Sequence, residues 1–142
     1  MKMSKITLMI FVVMFVFCFF SFPAQATLWA EKQEDYNSQI HCVELESIQN
    51  RFNWEQYQDV AENGTVNEIN NLISDYKDMV GEYTIFENEI GVLYYNMMIL
   101  SLKIVYTNRF ESSNLESEEY KKNLQDLDEK NEKINDIISQ CN

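Results

Sequence analysis

Histidine occurs once in this chain, at position 41, with Cys42 beside it and Glu44 three residues on. Three chemistries could start from that cluster. An activated thiolate needs a histidine facing the sulfur, but neighbouring helical residues point about 100° apart. A zinc or di-iron centre needs several ligands at helical spacing. His41 and Glu44 offer a pair, and no Glu-x-x-His repeat completes it. A haem could take His41 with Met97 or Met98 as axial ligands, but there is no attachment motif, and methionines at helical spacing read as core. No cofactor and no metal is therefore expected. No serine sits in a glycine-rich elbow. The 23 acidic side chains guarantee carboxylate pairs by chance, so such pairs carry no information. Arg51 and Arg109 are the only arginines, too few to gather a polyanionic substrate. The chain is expected not to be an enzyme.

Cys42 has another use. Residues 1–26 read as an export signal, with Lys2 and Lys5, an apolar run from Ile6 to Phe20, and the small-x-small site Ala24-Gln25-Ala26. Removing them takes Cys18 away and leaves Cys42 and Cys141 as an even pair, expected to form one disulfide in an oxidising compartment. The expected organisation is residues 1–26 as signal peptide and 27–142 as a single helical domain, periplasmic or secreted. If the signal were kept, the chain would be a signal-anchored structural subunit.

Loss of Lys2 and Lys5 leaves nine basic against 23 acidic side chains. Such a surface repels phosphate backbones and anionic headgroups. Nucleic acid is excluded as a partner, no stable membrane association is expected once the signal is cut, and a protein with a basic surface fits best.

The elements that position these residues are helices. No stretch alternates with period two, whereas spacings of three and four recur. Thr65-Val-Asn-Glu68, Thr84-Ile-Phe-Glu87 and Ser113-Asn-Leu-Glu116 each match the capping box. These signals predict helices over about 31–62, 66–80, 85–108 and 114–140. The first turns Ile40, His41, Leu45, Ile48, Phe52, Tyr57 and Val60 inward and ends at Asn63-Gly64, and Gly81 closes the second. Asn63-Gly64-Thr65 also spells a glycosylation sequon, read here as turn and cap.

The third segment holds IGVLYYNMMILSLKIVY, residues 90–106, with Lys103 its single charge. Glu82, Glu89, Asn96 and Lys103 form a polar line between two apolar stripes. A lipid-facing helix gains nothing from that line, so a helix packed on most sides is predicted, with one edge wet. The last segment is predicted to face inward through Tyr120, Leu124, Leu127, Asn131, Ile134, Ile138 and Cys141.

Short links predict an antiparallel, up-down-up-down four-helix bundle, an all-α fold. Four alternating helices bring Cys42 and Cys141 to the same end. The expected function is binding of another protein, of immunity, inhibitor or assembly-factor type. The partner would meet the acidic outer face of the last helix: Glu116, Glu118, Glu119, Glu129, Glu132 and Asp136. The alternative is a carrier of a small hydrophobic ligand, with Tyr95, Ile99 and Leu102 lining its cavity.

Overall fold

The computed structural model describes residues 37–141, so the expected signal peptide at 1–26 lies outside the described residues. The chain divides into two units, Met1–Ser38 and Gln39–Asn142. The described residues of the second unit form helices joined by short connections, without a strand. The first helix, α1, covers residues 37–51. It is followed by α2 (Trp54–Asn63), α3 (Val66–Ile85), α4 (Glu89–Phe110), a 3₁₀ turn (Ser112–Asn114) and α5 (Glu118–Gln140).

The predicted first helix is thus two. The chain breaks at Phe52-Asn53, where the Asn53 side chain accepts from the Gln56 amide at 3.0 Å and opens a new helix. The break lets the buried Phe52 ring reach Trp54, Tyr57, Tyr76, Tyr94 and Tyr95, at centroid distances from 4.8 to 5.9 Å. Each such pair contributes roughly 0.5–1.5 kcal/mol beyond its buried area. Arg109 reaches back from the end of α4 to the last turn of α2, donating to the carbonyls of Ala61 at 2.9 Å and Val60 at 3.3 Å. Gly64 then caps α2, where any Cβ would run into the Val60 backbone.

Of the three predicted capping boxes, one forms. The Thr65 hydroxyl accepts from the Glu68 amide at 3.3 Å and the Glu68 carboxylate accepts from the Thr65 amide at 2.7 Å. The Thr65 amide, and the Thr65 hydroxyl donating to the same carboxylate at 2.8 Å, lower the Glu68 carboxyl pKa from its ordinary value. Thr84 is instead interior to α3, its hydroxyl donating to the Val80 carbonyl. Ser113 lies in the 3₁₀ turn, and Ser117 caps α5 by accepting from Tyr120. Gly81 does not end α3: it is an ordinary helical residue with open space where a Cβ would go.

α4 is the central element, with its most extensive packing against α3 and then α5. It is long and apolar enough to cross a membrane by length and composition. Yet Ile90, Tyr94, Tyr95, Met98, Ile99 and Leu102 are buried in one cluster with residues of α1, α3 and α5. Gly91 lets the start of α4 approach the Tyr83 ring, which stacks on Tyr95 at 5.6 Å. Glu82 belongs to α3, so the predicted polar line is divided between two helices. Its α4 members are half-buried at Asn96 and Lys103, and Asn96 donates to the Val92 carbonyl.

α5 is rotated from its predicted register. Its inner edge runs through Tyr120, Asn123, Leu127, Lys130, Ile134 and Ile137, all buried or half-buried. Leu124 and Ile138, predicted inside, are 42% and 38% exposed, and Asn131 is exposed too. Both stripes share 120, 127 and 134. Packing against α4 decides between the flanking positions, placing Ile137 on the core cluster. The predicted disulfide is present, with the Cα atoms of Cys42 and Cys141 5.5 Å apart.

Candidate functional site

The connection between α3 and α4 is three residues long, Phe86–Asn88. The Asn88 amide donates to the Tyr83 carbonyl at 2.9 Å and the Glu87 amide to the Thr84 carbonyl at 3.2 Å. That pattern is a Schellman closure, in which the residue at C′ adopts the left-handed conformation that favours glycine. Here the residue is Glu87, with φ 54°. Asn88 then turns to a second task and caps α4, accepting from the Gly91 amide at 2.7 Å. So tight a corner has no room to fold its side chains inward. Ile85 and Phe86 are left 79% and 77% exposed at its tip. Around them Glu82, Glu87 and Glu89 are all exposed.

Beside the tip a cleft of about 570 Å³ opens between the corner and α5, with Tyr83, Val92, Leu93, Asn96 and Lys130 among its walls. A second cleft, of about 260 Å³, lies between α3, α4 and α5 and is lined by Asn123 among others. The rotated register of α5 accounts for both. Where its inner edge carries Lys130 and Asn123 instead of an apolar residue, the contact with α4 parts.

The acidic residues predicted to meet a partner, Glu116, Glu118, Glu119, Glu129, Glu132 and Asp136, are all exposed. They fall into two groups. Glu116 and Glu118 share Lys121 at 3.5 and 3.7 Å, and these exposed pairs add little to stability. Glu129 accepts from Gln125, and with Glu132 and Asp136 it lies more than two turns further along α5. The exposed corner at Ile85-Phe86 is not among the sites the sequence points to. Its signal is the Thr84-Ile-Phe-Glu87 match itself, which reads as the start of a helix and marks the end of one.

Chemistry finds few candidates among the described residues, which contain no group of three or more metal-ligating side chains. Cys42 is consumed by the disulfide, and Met98 is buried in the core with Met97 packed against it. Asn63 donates to Asp59 and closes α2. The interior titrates unusually. Tyr94, 1% exposed, has a hydroxyl without a hydrogen-bond partner, and burial, with Tyr95 and Tyr57 nearby, pushes its pKa up to about 12. Burial raises Tyr76 and Tyr95 likewise. Tyr57 escapes that isolation by hydrogen bonding Ser101. Tyr95, Ile99 and Leu102 meet side chains of the core cluster.

Comparison with protein-family models, curated proteins and solved structures finds no match to this chain.

Proposed function

We propose that this is an exported, non-enzymatic helical protein that binds another protein, as an immunity protein, inhibitor or assembly factor does. The observation that carries the reading is the α3–α4 corner. Two adjacent large apolar side chains stand almost free of the fold, ringed by carboxylates and next to an open cleft. Binding energy concentrates in apolar or aromatic side chains that enter a partner's pocket, while rim charges steer the encounter. With 23 acidic against 11 basic side chains, the complementary partner is a protein with a basic surface, and nucleic acid is not one. The acidic face of α5 supplies the long-range attraction in this reading.

The same reading takes the fold as an antiparallel four-helix bundle, up-down-up-down, with α1 and α2 together as its first, broken member. Three contacts support it. Tyr83 of α3 meets Gly91 and Tyr95 across the corner. Tyr120 of α5 bonds Asn108 near the end of α4, while Lys130 shares a cleft with Val92 and Leu93 near its start. The disulfide joins α1 to the end of α5, and it also supports a periplasmic or secreted location.

Photo-crosslinking tests the proposal. A benzophenone side chain at Phe86 is expected to yield one discrete protein adduct in the producing cells, and the same group at Phe110 none. Absence of an adduct at position 86, or equal labelling at both positions, would count against it.

A further inference from the structure

α2 stands apart from the other long helices in how little it buries. None of its ten residues is fully buried, whereas α3 and α4 bury whole stripes. Its packing against α3 and α4 is light beside that of α3 on α4. A helix this short is marginal in water by itself, since about 12–15 residues are needed even for favourable sequences. α2 is therefore helical only while its neighbours hold it.

Among the described residues, those attachments are few. The Trp54 and Tyr57 rings lean on Phe52 at 4.8 and 5.9 Å, and Tyr57, Val60 and Ala61 rest half-buried on the core cluster. Tyr57 also bonds Ser101 of α4. The last turn of α2 has no basic residue and carries Glu62, a charge that the carbonyl end of a helix disfavours. Arg109 of α4 supplies the missing cation, donating to the carbonyls of Val60 and Ala61 at 3.3 and 2.9 Å. Both ends of α2 can pivot. Residues 52–53 belong to neither α1 nor α2, Gly64 is extended, and Thr65 caps α3 without help from α2. Tyr57 stands beside Tyr76 and Tyr94, so α2 covers part of the phenol cluster around Phe52. With α2 in place the Tyr94 hydroxyl is buried without a partner, and that cost is removed when water reaches it.

We infer that α2 is a lid over the tyrosine cluster, latched to α4 by Arg109 and Tyr57, which opens as a unit by melting between Asn53 and Gly64 while α3, α4 and α5 stay folded. Segments that open in this way sit at the low end of a domain's range of local stabilities. Opening brings water to Tyr76 and Tyr94 and bares the Phe52 ring. The device is independent of the corner at Ile85-Phe86 and of any protein partner.

Native-state hydrogen exchange of the disulfide-intact protein, followed across low urea concentrations, tests the lid. The amides of residues 57–64 are expected to exchange together, more readily than the core amides of α3 and α4. Their urea dependence should be shallower, because the slope follows the surface exposed. Arg109→Ala and Tyr57→Phe should each speed exchange of 57–64 by roughly three- to tenfold. Ile134→Val trims the core from α5 and should speed the core amides about threefold or more. It should leave 57–64 unchanged, because the open lid keeps that contact. Exchange of 57–64 on the same urea slope as the core, or acceleration of both in step by Ile134→Val, would overturn the lid. Exchange of 57–64 unaltered in both Arg109→Ala and Tyr57→Phe would overturn the latch.

Discussion

Glu87 holds a left-handed conformation at φ 54°, which costs a non-glycine residue roughly 1 kcal/mol. Glu87→Gly is therefore expected to raise stability by about 1 kcal/mol in urea unfolding. If the carboxylate steers a partner, the same change weakens binding while the fold gains. Tyr94 offers a second case in which the native residue is not the most stable one. Its buried hydroxyl lacks a partner, and an unsatisfied buried donor costs about 1–3 kcal/mol. Tyr94→Phe should accordingly be neutral or stabilising by calorimetry, and a clear loss would show that the hydroxyl is engaged. The tyrosines also set an alkaline limit. The folded-state pKa of Tyr94 is raised from 10.0 to about 12, so the folded protein keeps a proton that the unfolded chain releases. This contribution is complete below pH 10 and falls away as pH rises towards 12, with Tyr76 and Tyr95 acting in the same direction. Thermal melts across that window should show a falling Tm together with the appearance of tyrosinate absorbance.

At the scale of elements, the break between α1 and α2 depends on one cap. Asn53→Ala is expected to cost about 1 kcal/mol, measured against Gln56→Ala as a control on the same helix. That break is legible in the sequence, since Asn53 followed by Gln56 fits the pattern that opens a helix. A continuous run of inward residues from Ile40 to Val60 masks it. The α3–α4 corner is harder to read. Thr84-Ile-Phe-Glu87 carries the residue types of a capping box, and only the backbone tells that Thr84 is interior to one helix and Asn88 begins the next. The face of α5 is ambiguous for a different reason. Tyr120, Leu127 and Ile134 fix half the stripe, and both candidate flanks mix apolar with polar residues. Hydropathy favours Leu124 and Ile138, but tertiary packing selects Asn123, Lys130 and Ile137, and with them the two clefts. Helix composition, the Thr65 cap and the core assignment of residues 90–106 are all readable, because each rests on local pattern and burial alone.

For the molecule as a whole, the disulfide spans 99 residues of sequence. Closing a loop of that length is worth about 4.7 kcal/mol in the chain-entropy model, a large share of the stability of a domain this size. Reduction, or Cys42→Ser with Cys141→Ser, should lower the urea midpoint accordingly. This bond is legible in the sequence because Cys42 and Cys141 are the even pair left if the expected signal, with Cys18, is removed. The proposed reading, an exported acidic protein that meets a partner through its exposed apolar corner, is tested most directly by the salt dependence of that contact. For the partner captured through position 86, the affinity of the wild-type protein should fall steeply as salt rises from low to physiological concentration. Phe86→Ser should weaken binding by about tenfold or more at every salt concentration. An affinity indifferent to salt, or one unchanged in Phe86→Ser, would contradict the account.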